Sequence, residues 1–416
     1  MKYTLIELCK KDECTGCQSC YNICPTKCIK FELNKNGFFH PEIDHTNCIK
    51  CGLCMVKCPI LNKEFNAIRF DIPKVYACWH NENTVRGKST SGGAFSALAK
   101  HVLDEGGVVF GACYNKNMEV FHAYINSYDE IDKLRRSKYV QSSIGNSYLQ
   151  VKEFLKKNKL VLFTGTPCQI AGLYSFLSTD FENLITAEII CHGVPSPLVH
   201  EKFISYIEFK TKLKVIDINF RDKKNGWGNG MQIRCTFTNG KNKLLRYNYS
   251  SYIKFFLNSI NLRESCYKCN FKSLPKQADF TLGDFWGIGS STFYPFESKK
   301  KLGISLLMIH SKKANDHFIE IANTLNVIER TYEEAINANP SFYNSQEKHY
   351  LYDEFSHDLN AFDFDYLIKK YSPLSLRRII YELISLTFGA YGLEKLIVLS
   401  KKINLKFFNM HHNSHK

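Results

Sequence analysis

The stretches CTGCQSCYNICP at residues 14–25 and CIKCGLCMVKCP at residues 48–59 decide how the first part of this chain folds. Cys14, Cys17, Cys20 and Cys24 run up to Pro25, and Cys48, Cys51, Cys54 and Cys58 run up to Pro59. Each run reads C-x2-C-x2-C-x3-C-P. Three thiolates separated by two residues let a short loop curl around three corners of one [4Fe–4S] cubane, while the fourth cysteine is pointed away and ligates the other. The spacing therefore groups Cys14, Cys17, Cys20 and Cys58 as cluster I, and Cys48, Cys51, Cys54 and Cys24 as cluster II. Proline after each fourth cysteine fixes φ and removes a backbone donor, which turns the chain off the loop. A pair of zinc sites built from CxxC units is the competing reading. Tandem identical runs, each closed by proline, favour iron–sulfur.

Working outward, IKFEL and FFHPEI flank NKNG, two apolar stretches around a turn signal, so residues 1–64 read as a dicluster ferredoxin module. A chain of 416 residues is too long for one ordinary core, and two or three domains are expected. Its 44% apolar and 23% charged residues are those of a globular protein. Seventeen cysteines without a secretory signal point to metal ligands in a reducing compartment, hence a cytoplasmic protein with no transmembrane helix. The formal charge of +15 invites a nucleic-acid reading. Three clusters of about −2 each, thiolates included, lower it to roughly +9. No zinc-finger, RRM or helix-turn-helix signature accompanies the charge, so nucleic acid is not an expected partner.

After LNKEFNAIRFDIP, which reads as a linker, strands and helices alternate. VYACWH, GVVFGACY, VFHAYI, LVLFTG and LITAEIICHG read as strands. SGGAFSALAKHVLDEG, NSYLQVKEFLKKN, PCQIAGLYSFL and PLVHEKFISYIEFK read as helices. Such alternation argues for a mixed α/β domain, assigned to residues 72–345. IDINFRD, MQIRCTFTNG and LLRYNYS read as a β meander within it. Residues 346–416 remain as a helical, basic C-terminal extension. Its segment LSLRRIIYELISLTFGAYGLEKLIVLSKKINLKFF suits a membrane-surface hairpin, a partner-binding hairpin, or helices docked on their own domain.

Four of the remaining cysteines occupy positions with chemistry. Cys266 and Cys269 form a CxxC, Cys168 lies just inside a helix start in TGTPCQIAG, and Cys191 ends an apolar strand in EIICHGVPSP. Helix starts and strand ends are where an α/β sheet presents functional groups. The four read equally as ligands of a third [4Fe–4S] cluster, or as buried small residues beside a zinc or paired CxxC. Cys9, Cys28, Cys78, Cys113 and Cys235 lack companion motifs and read as packing residues.

The series of motifs is more specific than any one of them. A dicluster module followed by STSGGAFSALA, SKYVQSSIG, GTPCQIAGL, CHGVPSP and CYKCNFK…ADFTLGDFWG resembles the beta-subunit family of coenzyme F-420-reducing hydrogenases and dehydrogenases, over roughly residues 1–340. The resemblance implies FAD and a [4Fe–4S] cluster in the larger domain, the latter on Cys168, Cys191, Cys266 and Cys269. It implies an oxidoreductase passing electrons between clusters, flavin and a two-electron substrate, in a setting such as polysaccharide biosynthesis. A redox partner or ferredoxin-type donor would supply the electrons. The alternative is a non-catalytic electron-transfer subunit of a larger redox complex, which needs no flavin of its own.

A flavin pyrophosphate needs backbone N–H groups or cations. Ser91, Gly92 and Gly93 open a helix and supply such donors, although a plain N-cap reads the same way. Lys138 and Ser142, in SKYVQSS, are candidates for the pyrophosphate or the flavin edge, with Lys138 also a candidate catalytic cation. Gly165, Thr166 and Pro167 make a strand-to-helix turn, and Asp284 and Trp286 stand beside glycines in GDFWG. His192 is a candidate proton donor or a satisfied structural histidine. Neither a P-loop nor a G-x-G-x-x-G turn occurs, so a nucleotide triphosphate or Rossmann NAD site is not expected.

Overall fold

The computed structural model describes residues 6–63, 67–228, 231–246, 250–288 and 301–373. Near the N-terminus, β1 (Ile29–Leu33) and β2 (Phe39–Ile43) pair antiparallel across the Asn34–Phe38 turn, as the NKNG signal requires. Short helices Ser19–Ile23 and Leu53–Val56 carry the third cysteine of each run, Cys20 and Cys54. The apolar core here is small, chiefly Ile6, Cys28, Ile29 and Cys54. A module of this size rarely buries enough surface to stand on packing alone.

The larger domain is built on β3 (Lys74–His80), β4 (Val108–Tyr114), β5 (Val120–Ile125), β6 (Val161–Gly165) and β7 (Leu184–Ile189). Beside it lies the meander of β8 (Val215–Asp222), β9 (Gln232–Phe237) and β10 (Asn242–Arg246), paired antiparallel in that order. Then β11 (Phe280–Asp284), β12 (Ser305–Ile309) and β13 (Leu325–Arg330) return to the main sheet. The eight-stranded order is β13-β3-β12-β11-β7-β6-β4-β5. Its centre, β11, β7, β6 and β4, is parallel, and antiparallel strands flank it on both sides. The central strands are apolar on both faces because helices cover both. Ala94–Asp104 and Lys312–Ile321 pack on one face around Leu98, Val109, Leu162, Ile185 and Phe318. Ser147–Lys156 and Pro167–Leu177 pack on the other around Phe110, Tyr148, Phe163 and Leu173.

Two expected boundaries move. The stretch read as a linker is pinned where it is described: the Phe70 amide donates to the His310 carbonyl, and Arg69, its side chain 2% exposed, donates to the Gln277 carbonyl and pairs with Asp180. At the other end the chain divides after Phe364, into a compact unit ending there and a second one from Asp365. Helix Tyr352–Ala361 thus belongs to the first unit, not to an extension starting at 346. Its Tyr352, Phe355 and Leu359 are fully buried, and Asn360 reaches the Lys35 carbonyl in the β1–β2 turn. The expected amphipathic hairpin falls at residues 374–408, outside the described residues. Among the described residues no helix is long and apolar enough to cross a membrane.

Candidate functional site

The two cysteine runs line two small cavities. One small cavity is lined by Cys14, Cys17, Cys20 and Cys58, the other by Cys24, Cys48, Cys51 and Cys54. The fourth cysteine of each run has crossed over. Left-handed backbone at Gly16 and Gln18 in one loop and at Lys50 and Gly52 in the other gives each loop its curl. Two cysteines read as packing residues also line these cavities, Cys9 one and Cys28 the other, Cys28 while packing in the small core. Cys9 shares hydrogen bonds with Cys14 and Cys58; the Cys9 bond is the main cause that pulls the Cys14 thiol well below its usual range and Cys58 to about 7. Cys28 Sγ lies 3.4 Å from Cys24 Sγ. A cysteine four or five residues from a ligand run, otherwise unexplained, was the available signal for both.

The third group is assembled from three distant segments. Cys168 is the second residue of helix Pro167–Leu177 and stands three residues past the end of β6. Thr166 caps that helix and Gln169 reaches back to the Thr166 amide, a capping box with proline at the first turn. Cys191 lies two residues past β7. Cys266 ends, and Cys269 follows, a tight turn at Glu264–Cys266 that is tied to the Cys191 loop by the Arg263 amide donating to the Val194 carbonyl. Burial pushes Cys168 well above the usual thiol range, with Cys269, Cys191 and Cys266 adding to it. Burial likewise takes Cys191 to about 11 and Cys266 to about 12, neighbouring sulfurs contributing in both. Such thiols ionise only against a positive partner, and a metal cluster is one. Lys272 adds a cation here, donating to the Cys191 and Ser341 carbonyls.

In front of Cys168 and Cys191 opens a cavity of about 650 Å³ at the carboxyl ends of the parallel strands. Ser91, Gly93, Lys138, Ser142, Gly165, Thr166, His192, Asp284 and Trp286 all line it. Gly92 and Pro167 do not. The Gly92 amide is taken by Ser305 Oγ, and a Cβ there would stand 2.4 Å from the Cys78 carbonyl oxygen, so this glycine serves strand packing. Pro167 is buried in the first turn of its helix. Lys138 lines the wall without offering a free ammonium: Nζ donates to the Lys133, Leu134 and Arg135 carbonyls, and burial lowers its pKa to about 7. His192 is held neutral, burial taking it to about 4, with Nε2 placed on the Phe256 carbonyl and Ser259 Oγ. It is therefore a hydrogen-bonding group rather than an acid at neutral pH. Ser142 Oγ is bound to His122 Nδ1 at 2.7 Å and to Gln169.

Part of SKYVQSSIG has a use that the sequence did not reveal. Gln141 donates to the Thr15 carbonyl, the Gly145 amide donates to Gln18 Oε1, and Asn22 donates to the Gly145 carbonyl. The strip docks the first cysteine loop. The meander also supplies residues that its strand pattern could not flag. Arg221 pairs with Asp284 and lies over Trp286, whose ring stacks on Trp227 at 4.5 Å. Buried Lys223 holds the Ser91 loop by donating to the Arg86, Ser91 and Leu302 carbonyls.

Clustered cysteines, a large cavity at parallel strand ends and a ferredoxin-like module define an iron–sulfur redox protein. The comparisons agree. Residues 13–61 match the 4Fe-4S dicluster domain, residues 75–149 the Coenzyme F420 hydrogenase/dehydrogenase, beta subunit N-term, and residues 158–334 the C terminus of that same subunit. The chain belongs to the coenzyme F420 hydrogenase/dehydrogenase beta-subunit family. It is 25% identical over 203 residues to an uncharacterized protein of Methanocaldococcus jannaschii, covering 41% of this chain and 54% of that one. It is 20% identical over 174 residues to one of the subunits of the F(420)H(2) dehydrogenase of Methanosarcina mazei, covering 40% and 49%. The matches thus span about half the length of these relatives. A stretch of 57 residues is 39% identical to an NADH-quinone oxidoreductase subunit of Pelobacter propionicus, covering 12% and 31%. A chain of the F420-reducing [NiFe] hydrogenase complex from Methanosarcina barkeri aligns with a TM-score of 0.43 and 16% identity, covering 74% of this chain and 95% of that one.

Proposed function

We propose that this chain is an iron–sulfur electron-transfer protein that works beside a redox partner, as a subunit of a dehydrogenase-type assembly. Its three metal sites are the two sets of the ferredoxin module and the inner set of Cys168, Cys191, Cys266 and Cys269. When bound, such clusters carry electrons one at a time. The protein's part is to space the sites and keep water out. The observation that carries this reading is one helix. Pro167–Leu177 bears Cys168 at its start, and one turn later Gly172 touches the outer set: a Cβ there would stand 2.8 Å from Cys17 Cβ and from Tyr148 Oη. Four residues of helix amount to ~6 Å of rise. Tyr148, fully buried and donating to the Gln169 carbonyl, fills the gap and feels Cys17, Cys168 and Cys20 together. The inner set and cluster I thus adjoin, and cluster II is the outer entry, with Cys48 and Cys51 partly exposed.

A second reading makes the chain an enzyme with FAD in the 650 Å³ cavity. Its support is the wall: Ser91 and Gly93 at the start of the eleven-residue helix Ala94–Asp104 would face a pyrophosphate, and Thr166, Ser142 and Asp284 would border the ring system. A bound flavin would couple one-electron to two-electron chemistry. Flavin analysis of anaerobically purified protein separates the readings. The relay predicts cluster reduction by a ferredoxin-type donor with no flavin bound, whereas one flavin per chain with turnover of an organic acceptor favours the enzyme. Protein that has neither iron nor flavin defeats both.

A further inference from the structure

Arg263 is among the largest fully buried side chains, 1% exposed. Its main chain belongs to the inner set: the amide donates to the Val194 carbonyl, and the carbonyl accepts from the Cys266 amide at 2.8 Å. Its side chain belongs to the outer set. Nε donates to the Cys14 carbonyl at 2.6 Å, Nη1 to the Phe39 carbonyl and Gln141 Oε1, and Nη2 faces His40 Nε2 at 3.1 Å and Cys14 Sγ at 3.6 Å. All five guanidinium donors are thereby committed. The fit is built for this group: at Gly16, in the first cysteine loop and at φ +68°, a Cβ would stand 3.0 Å from the guanidinium carbon.

Among the described residues, none of these partners is a carboxylate. A buried cation without a counter-ion is expensive, and one with a well-placed anion is not. The anion at hand is the four-thiolate set that includes Cys14. We propose that Arg263 is a positioning residue that raises the reduction potential of the Cys14, Cys17, Cys20, Cys58 site, making it the favoured resting place for an electron next to the inner set. This rests on the iron–sulfur reading above. Taking up one electron, with no proton, moves such a site from about −2 to about −3 with its thiolates counted. A fixed positive charge in contact favours the more negative form. The same side chain ties the two loops together, so it holds the sites in place as well as setting their order.

The test is an EPR-monitored redox titration of the full chain, with iron counted in every sample. Arg263→Gln is expected to move one ferredoxin-type signal to a more negative midpoint, by about tenfold in the reduced-to-oxidised ratio, which is 59 mV for one electron. The other signals should stay put, and Arg263→Lys should recover most of the shift. Wild-type midpoints in an Arg263→Gln protein of full iron content would overturn the proposal. If that variant loses iron, Gln141→Glu decides, because it sets a carboxylate against Nη1 in nearly the same shape. The same signal must then move negative, and an unmoved signal overturns the proposal. Absence of any cluster signal in the wild type would instead sink the iron–sulfur reading on which it stands.

Discussion

The outer and inner cysteine sets solve one problem in opposite ways. In the ferredoxin module eight candidate ligands occupy 45 consecutive residues, 14–58, and the loops that carry them are too short to do anything else. In the larger domain four cysteines spread over residues 168–269 are gathered by a sheet that exists for its own reasons. Parallel strands β6 and β7 deliver Cys168 and Cys191 to the same edge, and a hydrogen-bonded pair of loops brings in Cys266 and Cys269. On the reading proposed above, the outer sets would need their metal to hold their fold, whereas the inner set would have its fold in place before any metal binds.

That contrast makes the largest expected effects those of the outer ligands. Cys17→Ala or Cys51→Ala should remove about four irons and unfold the module locally, because its apolar core is small. Selective proteolysis within residues 6–63, with the larger domain left intact, is the readout. Cys191→Ala should also remove about four irons, yet leave the melting of the larger domain nearly unchanged. Equal unfolding in both cases would erase the distinction.

Acid should act in the other direction. His122, His200 and His310 are buried in the larger domain, and burial lowers them to about 4, about 4 and about 3. An unfolded histidine titrates near 6.5, so between that value and about 4 the unfolded chain binds more protons than the folded one. Stability is therefore full above pH 6.5 and falls as pH drops towards 4, by up to about 1.4 kcal/mol per pH unit for each histidine. Denaturant melts at pH 7.5 and pH 5.5, following the fluorescence of Trp79, Trp227 and Trp286, would show it. A flat profile would mean that these imidazoles titrate freely.

Smaller effects probe the seam between the regions. Gly172→Ala should cost about 1–3 kcal/mol by overpacking against Cys17 and Tyr148. It should also slow electron passage between outer and inner sites, seen as delayed reduction of the inner signal in rapid mixing. Thr166→Ala removes a helix cap and should cost only about 1 kcal/mol in a denaturant melt, leaving iron content unchanged.

How much of this was legible in the sequence follows from the range of the interactions. The crossing of Cys24 and Cys58 was readable because ligand spacing is local. The strand order of the mixed sheet was not, and β11 at its centre was not read as a strand although β3 to β7 were, since apolar runs announce an element but not its neighbour. Cys168, Cys191, Cys266 and Cys269 were each at a telling position, yet pattern left a shared cluster and separate roles equally open, and family resemblance favoured the cluster. Arg263 carried no signal at all: an arginine three residues before a CxxC looks like a surface charge until the fold buries it. Lys138, which lines the cavity, and Gly92, which does not, show the converse. A cation and a glycine near a helix start suit a phosphate, and here turn carbonyls and a strand had first use of them.

The central claim is that a third metal site stands behind the cavity, one helical turn from cluster I. Iron and acid-labile sulfide counted on anaerobically reconstituted wild type and Cys191→Ala test it directly. About twelve irons per chain falling to about eight in the variant is the predicted result. Eight irons in both proteins would contradict it.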